Sequence, residues 1–142
     1  MDKNEIQNLF DTIPTIYEAT NKDFSKINGK HYINTNKIKN KHGLVLVYAP
    51  WCSHCKKSVN LFDYISKSLH DYGISISTVN SENKKDKNDI LVKELGIKTF
   101  PTIFTVNKDQ KNNMMTGLLN KYNGERNINE LFMELYTMKN NM

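Results

Sequence analysis

The chain has little of what would make its function hard to localise: two cysteines, three prolines and one tryptophan in 142 residues. Two cysteines are too few for the disulfide framework of a small secreted domain, which uses more of them at wider spacing. No apolar run approaches the ~18 residues of a membrane span. Met1 to Phe10 carry Asp2, Lys3 and Glu5 and no apolar leader core, so the expectation is a cytoplasmic start without a signal peptide. An acidic excess is also missing. The net charge is +5, but lysine is scattered from Lys3 to Lys139 among many asparagines. That dispersion predicts a solvated basic surface and no specific nucleic-acid site. The Asn, Lys and Ile excess is the imprint of an AT-rich genome, such as that of a large DNA virus, whose protein would work in the virion or host cytoplasm, or of a protist parasite.

The length suits one domain with a real core. Ile6, Leu9, Phe10 and Ile13 mark one face of a short helix over about Asp2 to Thr12, stopped by Pro14. Residues 1–24 are read as an extension carrying this helix, and 25–142 as the main domain. Thr15 to His42 gives a weak signal. Thr15-Ile16-Tyr17 and Lys30-His31-Tyr32-Ile33 each read as a first edge strand, Asn28-Gly29 is a turn, and Asn34 to Lys41 is polar enough for a loop or marginal helix.

Leu44 to Ala49 is continuously apolar, as a central strand covered on both faces must be. The next segment carries Val59, Phe62, Ile65, Leu69 and Tyr72 at three- and four-residue steps, predicting a five-turn helix that stops at Gly73. Ile74 to Val79 alternates as a strand. Lys87 to Leu95 reads as a helix ended by Gly96, and Thr102 to Val106 as a strand with Pro101 tolerated at its start. A polar turn over Asn107 to Asn113, a weak strand around Met114 to Tyr122 and a helix around Asn127 to Met138 complete the order.

Both cysteines lie where the central strand meets the long helix, as Trp51-Cys52-Ser53-His54-Cys55-Lys56. A strand that delivers Cys-x-x-Cys to a helix start lays out a dithiol redox site. The nucleophile in disulfide exchange is the thiolate, and a free thiol with a pKa of about 8.5 is mostly protonated at neutral pH. The helix N-terminus, its free N–H groups and the imidazole of His54 are the groups that favour the thiolate at Cys52. A zinc site would need two more ligands, and nothing places two of His31, His42, His54 and His70 at ligand spacing from the pair, so no metal is expected.

Ala49-Pro50-Trp51-Cys52-Ser53-His54-Cys55-Lys56, with Thr99-Phe100-Pro101-Thr102 downstream, closely resembles the active-site segments of the thioredoxin superfamily, nearest to the catalytic domains of protein disulfide isomerases. The resemblance spans roughly Leu44 to Leu135, and Thr20-Asn21-Lys22-Asp23-Phe24 is similar to the segment after the first strand of such domains. It implies a thioredoxin-like α/β fold, a central four- or five-strand mixed sheet flanked by helices. It also implies a cis peptide before Pro101. The function implied is a thiol-disulfide oxidoreductase with no cofactor beyond its own Cys52 to Cys55 disulfide. Cys52 would attack, Cys55 would resolve and His54 would tune. Trp51, Phe100 and Pro101 would hold substrate, and Arg126 would approach Cys55 as a modulator. Substrates would be protein disulfides or dithiols, with a thioredoxin reductase or a sulfhydryl oxidase as recycling partner.

Stabilising the reduced form makes a disulfide more oxidising, so His54 argues for oxidase or isomerase character. The cytosolic expectation argues the other way. One departure stands out: the family places a buried Asp or Glu five residues before the tryptophan, and here that residue is Leu46. The alternative is therefore a thioredoxin-like binding module with little redox turnover. Glutathione chemistry of the glutaredoxin kind fits less well, because Trp51 and the Ser53-His54 pair favour the thioredoxin side.

Overall fold

The computed structural model describes residues 5–34, 42–108 and 117–140. The expected loop over 35–41, most of the turn over 107–113 and the start of the weak strand at 114 lie outside them.

Helix α1 (Glu5–Asp11) buries Ile6 and Phe10, and Ile13 follows them into the core, whereas Leu9, read from the sequence on the same face, is exposed. Strands β1 (Ile16–Glu18), β2 (Phe24–Ile27) and β3 (Lys30–Ile33) come next. They lead to β4 (His42–Tyr48), which runs into helix α2 (Ser53–Leu69). A 3₁₀ turn and left-handed Gly73 (φ 81°) end that helical stretch. Strand β5 (Ile74–Asn80), helix α3 (Asn88–Glu94), strands β6 (Thr102–Lys108) and β7 (Gly117–Lys121), and helix α4 (Ile128–Asn140) follow.

The sheet has seven strands in the order β1-β5-β4-β6-β7-β3-β2, not the four or five expected. β4 pairs parallel with β5 and antiparallel with β6, which makes it an interior strand paired on both edges. The two extra strands are one hairpin. Asn28 (φ 52°) and Gly29 (φ 79°) both take the left-handed conformation of a tight two-residue turn. This folds β2 onto β3, and β3 then pairs with β7 through Tyr32 opposite Leu118 and Ile33 opposite Gly117. Both segments weighed as a first edge strand are thus strands: Ile16–Glu18 forms one edge beside β5, and Lys30–Ile33 belongs to the hairpin.

The apolar run of β4 divides by alternation. Leu44, Leu46 and Tyr48 face a core shared with Ile6 and Phe10, Phe62 and Ile65 of α2, and Leu131 and Leu135 of α4. Val45 and Val47 face a second core with Val79, Leu91, Phe104 and Val106. Burial on both faces requires a continuous hydrophobic strand. Gly43 opens it at a close approach, where a Cβ would collide with the Ser75 carbonyl oxygen of β5.

Candidate functional site

β4 ends at Tyr48, and Ala49 and Pro50 carry the chain to Trp51 and Cys52. Cys52 is the N-cap of α2, with extended backbone (φ −90°, ψ 116°). Its Sγ accepts a hydrogen bond from the Cys55 N–H at 3.3 Å, taking the place of the side-chain oxygen that usually satisfies one of the free amides at a helix start. The Cys52 thiol also donates to the Phe100 carbonyl oxygen at 3.5 Å. Both cysteines are free thiols, but they differ in access: Cys52 keeps 6% of its surface exposed and Cys55 none. Burial, followed by the hydrogen bond with the Cys52 sulfur, pushes the Cys55 thiol up to about 12; the Ala49 backbone and the Arg126 guanidinium pull the other way.

The Phe100–Pro101 peptide is cis and immediately precedes β6. Trp51 lies out in solvent, 62% exposed, with its ring edge-on to Phe100. Arg126 Nη1 donates to the Pro101 carbonyl oxygen at 3.4 Å. A cleft of about 420 Å³ opens beside this peptide, lined by Thr99, Pro101, Thr102, Tyr122 and Arg126 among others. The structure therefore gathers Trp51, Cys52, Cys55, Phe100, Pro101 and Arg126 around one point. His54 sits in the first turn of α2 with its side chain exposed. Among the described residues, no three His, Cys, Asp or Glu side chains converge as metal ligands.

Leu46 is fully buried in the core beneath α2. One carboxylate with a shifted titration belongs to a residue that no motif in the sequence marks. Glu18, on edge strand β1, is partly buried, and its Oε1 accepts from the Tyr48 hydroxyl at 3.1 Å. Its Oε2 accepts from Thr78 Oγ1, and the backbone N–H of Asn80 adds a further donor. Desolvation outweighs these donors and raises the carboxyl to about 7, with the Asp11 charge adding to the rise. Its only signal in the sequence is an acid set between apolar residues, Ile16-Tyr17-Glu18-Ala19.

A central parallel-antiparallel sheet, a dithiol at a helix N-cap and a cis Phe100–Pro101 peptide whose carbonyl meets the outer sulfur define the class of thioredoxin-fold dithiol proteins. The model of the thioredoxin family matches residues 23–132, and the chain belongs to that family. Among relatives, it is similar to protein disulfide-isomerase MPD1 of Saccharomyces cerevisiae, 36% identical over 103 residues. That match covers 72% of this chain and 29% of the yeast protein. It is also similar to protein disulfide-isomerase A5 of Mus musculus, 39% identical over 75 residues, covering 52% of this chain and 14% of that protein. The chain thus spans less than a third of either relative. The crystal structure of the Trx4 domain of ERdj5 matches with a TM-score of 0.65 at 16% identity, covering 90% of this chain and 98% of that one. The short form of thioredoxin f from spinach chloroplast gives a TM-score of 0.60 at 16% identity, with coverage of 87% and 93%.

Proposed function

We propose that this domain exchanges disulfides with protein substrates through Cys52-Ser53-His54-Cys55, in the manner of a disulfide isomerase. The observation that carries the reading is the placement of the Cys52 sulfur at the α2 N-cap, bonded by the Cys55 N–H and 3.5 Å from the Phe100 carbonyl. Cys52, as thiolate, attacks a substrate disulfide and one substrate sulfur leaves. The mixed disulfide that results is then attacked by Cys55, which closes the Cys52–Cys55 bond and releases reduced substrate. Run backwards, the same bond oxidises a substrate dithiol.

Each neighbour has a role in this reading. The helix terminus and the Cys55 N–H favour charge on the outer sulfur, and a protonated His54 in the same turn adds to that preference. The backbone at Phe100 and Pro101 pairs with an extended substrate segment, and Trp51 forms the rim above it. Arg126 favours the thiolate of Cys55. Recycling falls to a thioredoxin reductase if the domain works as a reductant in the cytoplasm, or to a sulfhydryl oxidase if it works as an oxidant.

A redox equilibrium against a glutathione series, read by alkylation and mass, tests the reading. A midpoint near about −180 mV is expected for an oxidant or isomerase, and one near about −270 mV would contradict the role given to His54. Buried Leu46 favours a second reading, a client-binding module with little turnover. Cys52→Ser separates the two: client capture that survives this substitution undiminished is the mark of the module.

A further inference from the structure

The exchange cycle has a step for which, among the described residues, no base is hydrogen-bonded to the reacting thiol. Cys55 must lose its proton before it can attack, yet it is fully buried and its thiol lies far above neutral pH. Leu46, beneath α2, offers no proton acceptor. His54 is exposed, and Arg126 has no acceptor to offer.

We propose that Glu18 and Tyr48 form a proton relay serving Cys55, with the Tyr48 hydroxyl taking up the thiol proton as it passes its own to Glu18. The geometry at one end is direct, since Tyr48 Oη already donates to Glu18 Oε1 at 3.1 Å. At the other end Tyr48 shares the α2-side core with Cys52 and Cys55, and its hydroxyl is kept protonated by burial first and by Glu18 second, with the Cys55 charge adding least. The proposed hop from the thiol to the hydroxyl runs through one bridging water.

The pair is built for holding a proton. Thr78 and the Asn80 backbone fix the Glu18 carboxylate, so its orientation does not depend on Tyr48 alone. Helix α1 closes the other side: the Phe10 ring lies 5.3 Å from Tyr48, Gln7 Oε1 accepts from Asn80 Nδ2 at 2.6 Å, and Glu5 pairs with Lys56. The titratable groups facing the pair are Asp11 from α1 and Cys55 from α2. A carboxyl that titrates near 7 is matched to accept and return a proton at neutral pH. The uphill transfer also eases in the mixed disulfide. Two of the influences that raise Cys55 come from Cys52 as a free thiol or thiolate, and both vanish once Cys52 is bonded to substrate.

The step balances as follows. The Cys55 S–H bond breaks and its proton goes to the relay. Cys55 sulfur forms a bond to Cys52, the bond from Cys52 to substrate breaks, and the substrate sulfur leaves with the electron pair. The relay proton returns to that thiolate or to solvent. The two cysteines are oxidised and the substrate disulfide is reduced. The assignment presupposes disulfide exchange at Cys52. Glu18 acts through Tyr48, so it is a positioning residue and not a catalytic one.

The test is stopped-flow resolution of a Cys52 mixed disulfide with 5-thio-2-nitrobenzoate across pH 5.5 to 9.5, reading the second thiol released. The wild type should show a rate inflection near the Glu18 titration. Glu18→Gln should lose that inflection and resolve at least about tenfold more slowly at pH 7, the gap closing at high pH where solvent bases take over. Tyr48→Phe, which keeps the ring packing, should show the same loss, and the double variant should be no slower than either alone. Glu18→Asp should restore part of the inflection. Formation of the Cys52 adduct at normal rates with the wild-type inflection kept in Tyr48→Phe or Glu18→Gln would overturn the relay alone. Absence of any Cys52 adduct in the wild type would overturn the exchange reading, and the relay with it.

Discussion

Trp51 meets Phe100 edge-on, with ring centroids 5.9 Å apart and planes at 86°, while its Nε1 donates to Glu82 at 3.0 Å. The indole is thus held at both ends although most of it faces water. An exposed aromatic fixed this way offers flat contact area at low entropic cost. Trp51→Ala should therefore raise KM for a peptide disulfide several-fold while changing unfolding free energy by no more than about 0.5 kcal/mol, as for a surface site. Peptide kinetics together with urea unfolding check it. A large stability loss with unchanged KM would make the residue a structural prop.

The parts of this molecule that were legible in the sequence are those whose signal is local. Leu44 to Ala49 announces a doubly covered strand because burial on both faces demands it, and the α2 face repeats over many turns. Cys52 and Cys55 are adjacent in the fold because they are adjacent in the chain. Of the Phe24–Ile33 hairpin, the Asn28-Gly29 turn and the Lys30–Ile33 strand were legible, but the Phe24–Ile27 strand and the pairing with β7 were not. Its strands are only four residues long and half polar, and its place beyond β7 is set by Tyr32 and Ile33 meeting a strand more than 80 residues away. Glu18 was missed for the same reason. Its partners Tyr48 and Thr78 lie 30 and 60 residues on, and no spacing rule connects them.

Arg126 reaches the Pro101 carbonyl from the turn before α4, and its charge lowers the Cys55 thiol. Removing it should raise the Cys55 titration further and slow resolution of the mixed disulfide. Arg126→Ala is expected to cost about three- to tenfold in that step at low ionic strength, with the difference shrinking as salt is added. Arg126→Lys should recover part of it. The single-turnover release rate at two salt concentrations decides, and an unaltered rate removes Arg126 from the mechanism.

Helix α1 packs through Ile6 and Phe10, both essentially sealed from solvent, and Phe10 lies against Tyr48. Phe10→Ala should cost about 3–5 kcal/mol, as for other buried aromatics replaced by alanine. Leu9→Ala, on the exposed side of the same helix, should cost under about 1 kcal/mol. Chemical denaturation of the two variants gives the contrast directly. Similar losses at both positions would mean that the helix is stabilised by its own backbone and not by this face.

The raised Glu18 carboxyl makes stability depend on pH in a stated direction. Burial raises folded Glu18 to about 7 from its ordinary value of 4.5, so between those limits the folded state holds the proton that the unfolded chain has lost. Its stabilising contribution is complete below about pH 4.5 and is lost as pH rises through about 7, with a span of up to about 3 kcal/mol. Glu18→Gln cannot ionise. It should be more stable than the wild type above pH 7 and should show a flatter profile from pH 5 to 8. Urea unfolding of both proteins at half-unit steps over that range measures the difference. Parallel profiles would mean that the carboxyl titrates in the folded protein as it does in the unfolded chain, with its burial relieved by solvent.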